Sequence, residues 1–258
     1  MARICYNLPV SDPAPATDGL SILDSHEGIA RELVVSFYDE VLKPLFPPEE
    51  LIAPWWEDGD GEDPPLLLLV TPEGRVAGGA LGEWYPRSRV LLLSYVAARP
   101  EWRGRGIGTR LMREIEARWC RHHDFLIVLG EIDDPRHRPD PNQDPWERVS
   151  FYERFNGWLV GAPYFQPSIR PSSPRAYHLM LGVLKHAPEA LTSEGKMRGE
   201  VLRTFLEEYF AACEGKVDGE GDPQMRWLLD SYRDDLELIP LTEIDRVPHD
   251  EPPALVEG

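Results

Sequence analysis

The chain has 258 residues, of which 42% are hydrophobic and 28% charged, enough for one large domain or a domain with a substantial extension. That composition excludes a wholly disordered, collagen-like or disulfide-scaffold chain. With 27 Lys+Arg against 45 Asp+Glu, the formal net charge of −18 disfavours nucleic acids and anionic membranes and favours cationic partners.

Asp12 to Asp18 reads as a loop, and the four-residue spacing of Ile29, Leu33, Phe37 and Val41 predicts a helix from His26 to Leu42, stopped by Pro44, Pro47 and Pro48. The acidic run Glu57 to Asp63 is an expected exposed loop. The period then changes: Leu66 to Val70, Val76 to Tyr85 and Arg89 to Ala98 predict an antiparallel meander. Ile107, Leu111, Ile115 and Trp119 place one apolar stripe on an amphipathic helix. The apolar run Phe125 to Leu129 follows it, and a helical crossover between the two strands predicts that they run parallel. Asp133 to Pro145 reads as a long loop and Trp146 to Phe155 as a short helix, followed by strands over Trp158 to Phe165 and Ala176 to Leu184.

From Ala187 the spacing of Val201, Phe205 and Tyr209 is helical, with a break over Val217 to Asp222 and a further helix through Tyr232. Residues 234–258 carry eight acids and one Arg among several prolines and predict a solvated tail. The expected organisation is therefore a domain over 1–186 and a helical extension with an acidic, Pro-containing tail over 187–258, which offers a surface for a homodimer. The apolar runs fall far short of the roughly 18 residues of a membrane helix, the N-terminus lacks a basic-then-apolar signal, and Cys5, Cys120 and Cys213 show no metal-ligand spacing. A cytoplasmic protein without a metal or membrane association is expected.

Most bases are Arg, 23 against 4 Lys, so Arg abundance alone argues nothing. Local clustering does: Arg99 to Arg121 holds seven Arg and three Glu, a net of +4 in an acidic chain. Inside this island Arg103-Gly104-Arg105-Gly106-Ile107-Gly108 lies between a strand and a helix. Glycines there let backbone amides approach a ligand, and a helix N-terminus favours a phosphate or pyrophosphate. The Walker pattern is excluded, because neither Gly195-Lys196-Met197 nor Gly215-Lys216-Val217 ends in Ser or Thr. The Gly-x-Gly-x-Gly spacing after an antiparallel meander does not match a Rossmann fingerprint.

These residues resemble the acetyl-CoA loop of the GCN5-related N-acetyltransferases, the GNAT superfamily, written Arg/Gln-x-x-Gly-x-Gly/Ala and present here as Arg103, Gly106 and Gly108. Phe151-Tyr152-Glu153-Arg154-Phe155-Asn156-Gly157-Trp158 looks like a second motif of the family. The resemblance, covering about Ile22 to Leu184, implies an α/β fold of the α+β type: a mixed, mostly antiparallel sheet with splayed parallel central strands, flanked by helices. It implies acetyl-CoA as cosubstrate, with Gly104, Arg105, Gly106, Gly108 and Thr109 on the pyrophosphate, Arg103 in the same loop, and Val96 and Ala98 bonding the pantetheine through their backbones. Tyr152 matches the thiolate-protonating tyrosine.

For the base that accepts the amine proton, Glu131, Glu83 and Asp133 all stand near strand ends and remain alternatives. His122 and His123, at the far end of the amphipathic helix from the loop, read as complements of its dipole. Trp55, Trp56, Trp84, Tyr85 and Tyr164 are expected either in an acceptor pocket or in the core. The expected activity is N-acetylation of a small-molecule or peptidic, cationic primary amine. The rivals are a non-catalytic acyl-CoA-binding or regulatory module and a transferase for a longer acyl group.

Overall fold

The structure is a computed structural model that describes residues 19–57, 63–137, 145–170, 173–216 and 219–253. The expected loop over Asp12 to Asp18 and most of the loops over 57–63 and 133–145 lie outside these residues. The described chain forms two compact units, one of residues 19–84 and 92–124 and one of residues 85–91 and 125–253.

The first unit runs through β1 (Ser21–Asp24), α1 (Arg31–Phe37) with a π turn over Tyr38–Leu42, β2 (Leu66–Val70), β3 (Val76–Tyr85) and β4 (Val90–Ala98). It closes with α2 (Ile107–Glu114), a π turn over Ile115–Trp119 and a last helical turn, α3 (Cys120–His122). β1 pairs antiparallel with β2, setting Leu23 opposite Leu68, and β2 pairs antiparallel with β3. The uninterrupted run Leu66-Leu67-Leu68-Leu69-Val70 is buried at every position, so β2 is covered on both faces. Leu66, Leu68 and Val70 join Phe37, Tyr38, Val41 and Leu42 in one core cluster.

Two details differ from the sequence reading. The helix expected from His26 starts only at Arg31, because Asp24 caps a 3-10 turn over Ser25–Glu27 that ends at Gly28 with φ 87°. The strand β1 ahead of it is too short and too mixed in polarity to announce itself. At Ile107, Leu111, Ile115 and Trp119 the expected stripe is buried throughout. Gly78 makes room for it: a Cβ there would stand 2.5 Å from the Ala97 carbonyl oxygen and 2.8 Å from Ile107 Cγ2. Glycine thereby lets the start of α2 sit directly on the sheet.

The second unit contains β5 (Ile127–Asp133), α4 (Pro145–Glu153), β6 (Trp158–Val160), β7 (Tyr164–Gln166), β8 (Ala176–His186), α5 (Gly199–Glu214), α6 (Pro223–Ser231) and β9 (Leu238–Pro240). β8 pairs antiparallel with β5, β6 and β7, and β6 pairs antiparallel with β9. The unit also holds the first two residues of β4. There the Leu126 N–H donates to the Arg89 carbonyl at 2.7 Å, so β4 and β5 begin side by side as the parallel pair. The fold class is the expected one: a mixed, mostly antiparallel sheet with flanking helices.

The single strand expected from Trp158 to Phe165 is two, β6 and β7, interrupted where the Gly161 N–H turns to the Glu237 carbonyl and Pro163 has no donor to give. β5 extends to Asp133, so Glu131 lies within the strand and not at its end. The solvated tail expected from residue 234 is ordered over 238–247: β9 pairs with β6, and Ile239, Leu241, Ile244 and Val247 are buried. Leu241, Ile244 and Val247 stand three residues apart on two short 3-10 turns that meet at the non-helical Glu243 (φ −117°), a pattern that the acidic composition conceals. Arg175, just ahead of β8, bonds the Glu214 carboxylate at 2.6 and 2.9 Å and also bonds Asp222, tying β8 to the turn between α5 and α6. No helix among the described residues is long and apolar enough to cross a membrane.

Candidate functional site

In the first unit the loop before α2 is built by two left-handed residues, Gly104 at φ 69° and Gly106 at φ 80°. A Cβ at Gly104 would meet nothing within 4 Å, so it is the backbone conformation and not crowding that calls for glycine. Gly106 is the N-cap of α2, and no side chain caps the helix. The first amides of α2 therefore have no intrahelical acceptor and sit at the positive end of its dipole. The Gly106 carbonyl takes the Arg110 N–H at 2.9 Å, which fixes the turn.

Arg103 and Arg105 are exposed at this helix start, and neither has a carboxylate partner among the described residues, whereas Arg99, Arg118, Arg136, Arg148 and Arg175 are all ion-paired. The Arg105 guanidinium lies over the Trp102 ring, 5.2 Å from its centroid. Gly108 and Thr109 lie half-buried in the first turn. The arrangement offers amides, a dipole and two unspent cations, a donor set for an anion with several oxygens. In β4, Tyr95 and Ala97 enter the core while Ser94, Val96 and Ala98 alternate onto a half-buried face. Glu83 of β3 accepts the Ser94 hydroxyl at 2.6 Å.

In the second unit Glu131 is half-buried, and both of its carboxylate oxygens are engaged. Tyr164 donates its hydroxyl to Oε1, and the Gln166 amide donates to Oε2 at 2.6 Å. Tyr164 is buried, and burial together with the Glu131 charge pushes its phenol well above the ordinary value, so the hydroxyl stays protonated as a donor. Tyr152 in α4 is buried, and burial raises its phenol too, with Arg148 opposing and Asp133 reinforcing the shift. Its hydroxyl has no hydrogen-bond partner among the described residues. Asp133 is spent on an ion pair with Arg148.

The sequence model of the Acetyltransferase (GNAT) family matches residues 28–158, just over half of the chain and the span that carries both motifs. This chain belongs to the GNAT acetyltransferase family. A Bacteroides thetaiotaomicron protein described as a GNAT-family acetyltransferase is similar in structure, at a TM-score of 0.50 and 19% identity over 73% of this chain and 98% of the other. At that identity the likeness is one of fold. The ribosomal-protein-S18-alanine N-acetyltransferase of Escherichia coli aligns at a TM-score of 0.43 and 14% identity over 67% and 99% of the two chains. A GNAT-family acetyltransferase of Elizabethkingia anophelis with acetyl-CoA bound aligns at 0.40 and 10% over 65% and 99%. No curated protein matches the sequence.

Of the aromatic candidates in this GNAT chain, Trp55 and Trp56 pack edge-on around Tyr38 at the first unit's core, and Trp84 lies 4.9 Å from the His123 ring. Tyr85 packs edge-on against Phe205 and lies 5.7 Å from the Tyr209 ring. Tyr164 reaches a candidate carboxylate, that of Glu131. Sequence reasoning missed Gln166; its signal was its place two residues after Tyr164 on one strand, which puts both side chains on one face of β7.

Proposed function

We propose that this GNAT protein transfers an acetyl group from acetyl-CoA to a primary amine of a cationic small molecule or peptide. The observation that carries the reading is the start of α2: an uncapped helix N-terminus with two left-handed glycines, flanked by Arg103 and Arg105, two exposed cations without a carboxylate partner among the described residues of a strongly acidic chain. Such a donor set fits the pyrophosphate of CoA, which the amides of Gly106, Gly108 and Thr109 would hold with Gly104 and Arg105 beside them. Backbone groups of Val96 and Ala98 are assigned to the pantetheine arm. Acetyl-CoA supplies the activated thioester.

Glu131 is the proposed base, accepting the proton that the amine nitrogen loses as it bonds to the acetyl carbon. Tyr164 and Gln166 orient its carboxylate. Tyr152 is the proposed acid, giving its proton to the sulfur as the carbon–sulfur bond breaks, and its hydroxyl, which has no hydrogen-bond partner among the described residues, is available for that task. The net charge of −18 supports a cationic acceptor. Intact-protein mass spectrometry with acetyl-, succinyl- and long-chain CoA, followed by an amine library, tests the reading. Acetyl-CoA binding with transfer to a cationic amine is expected. Binding without transfer to any amine would leave a CoA-binding module, and preference for a longer chain would change the donor.

A further inference from the structure

His26 stands in the turn after β1, and His122 and His123 stand at the end of the long helix, yet all three meet within the first unit. The His122 ring stacks on His26 with centroids 4.0 Å apart and planes within 7°. His26 Nε2 is 3.2 Å from His123 Nε2, and His26 Nδ1 is 2.9 Å from Asp24 Oδ1. Asp24 is 1% exposed, and its Oδ2 is buried without a hydrogen-bond partner. Asp24, His26 and His122 each offer a ligand atom within 4.8 Å of the others.

We propose that His26, His122 and His123, with Asp24 behind His26, form a binding site for a borderline divalent transition-metal ion, of which Zn²⁺ is the type. Imidazole nitrogen suits that class, whereas Ca²⁺ and Mg²⁺ demand oxygen. Two imidazole nitrogens at Zn–N distances of 2.0–2.1 Å and a tetrahedral angle stand about 3.3 Å apart, close to the separation of the two Nε2 atoms. The Asp24 contact holds the His26 Nδ1 proton and turns the Nε2 lone pair outward, the usual arrangement behind a metal-bound histidine. Arg118, the nearby cation, is already paired with Glu114 at 2.8 Å and Glu27 at 3.4 Å.

A second group, Asp134, His137 and His249 in the other unit, is a weaker candidate and serves as a control. There the Asp134 carboxylate is taken by Arg136, whose charge opposes a second cation. The proposed ion would clip the end of β1 to the end of α3, and by binding only the folded chain it would raise its stability.

The test strips the full chain with EDTA, dialyses it and titrates it with ZnCl₂ by calorimetry, with the Co²⁺ absorption spectrum as a second readout. One equivalent is expected, together with a raised Tm and the strong visible bands of a low-symmetry Co²⁺ site. His26→Gln should abolish all three, and so should the double change His122→Gln/His123→Gln at the helix end. The double variant decides the matter if His26→Gln does not fold. His137→Gln should leave them intact. A wild-type chain that binds no equivalent, retained binding in the double variant, or loss confined to His137→Gln would each overturn the assignment.

Discussion

Tyr164 donates its hydroxyl to one oxygen of Glu131 while Gln166 holds the other, so the carboxylate proposed as base is fixed in direction by two residues of one strand. Tyr164→Phe removes one of these restraints and frees the carboxylate to turn. A hydrogen bond to a charged group is worth about 1.5–3 kcal/mol, so kcat/KM should fall by roughly tenfold to a hundredfold while acetyl-CoA affinity holds. An unchanged kcat/KM in a folded variant would mean that the Tyr164 contact does not position a base.

Glu131→Gln keeps the size and the contact geometry but cannot take a proton. Loss of a positioned base lowers rates by roughly 10²–10⁴-fold, and kcat/KM should fall in that range. The deficit should shrink as pH rises, because a neutral amine needs no base before attack. Glu83→Gln is the comparison, since Glu83 accepts the Ser94 hydroxyl. Full activity in Glu131→Gln with loss in Glu83→Gln would transfer the role to Glu83.

At Gly106 two effects must be separated, because φ is 80° and any side chain is strained there. Gly106→Ala carries the strain without charge and should cost about 1–2 kcal/mol of stability. Gly106→Glu carries both and sets a carboxylate against the amides of α2, so acetyl-CoA binding should be abolished in it and only weakened in Gly106→Ala. Equal affinities in the two variants, measured by calorimetry, would refute the pyrophosphate assignment.

How much of this was legible follows from which signals are local. The stripe Ile107, Leu111, Ile115 and Trp119 and the run Leu66 to Val70 are periodic over a single element, and both are buried as their spacing requires. The glycine loop is legible because its conformation is written in residue type. The Gln166–Glu131 bond was not, since it joins strands 35 residues apart. Nor was the burial of Leu241, Ile244 and Val247, where a three-residue period is shorter than the one sought in helices and the acids around it dominate the composition. His26 and His123, 97 positions apart, belong to no linear motif at all.

Tyr152 has a buried ring and a hydroxyl with no hydrogen-bond partner among the described residues, so Tyr152→Phe should leave the fold almost unchanged. If the hydroxyl protonates the departing sulfur, kcat should fall by roughly 10²-fold or more while acetyl-CoA affinity holds, the pattern of an interaction made only in the transition state. An unchanged kcat would leave Tyr152 as a packing residue among Phe151 and Phe155.

The Arg175 cluster should govern acid stability. Burial raises the Glu214 carboxyl, yet the Arg175 guanidinium, with Lys216 and the Ser168 N–H, holds it down at about 2 from an ordinary 4.5; the same guanidinium and Lys216 lower Asp222 against its own burial. A depressed carboxyl contributes stability that is present above its unfolded pKa and lost as pH falls through the folded one, so the cluster's contribution is complete above about pH 4.5 and fades toward pH 2. Arg175→Met keeps an apolar body against Phe165 and Phe210 but leaves two carboxylates with the half-exposed Lys216 and the backbone N–H groups of Ser168 and Met225 beside them. Breaking a buried pair in this way costs about 3–5 kcal/mol, which urea unfolding at pH 7 should register. The gap between variant and wild type should narrow as pH falls from 4.5 toward 3, because protonation relieves the stranded carboxylates in the folded variant, whereas in the wild type only the unfolded chain takes up protons over this range. A gap that stays constant over that range would mean that Arg175 acts through packing alone.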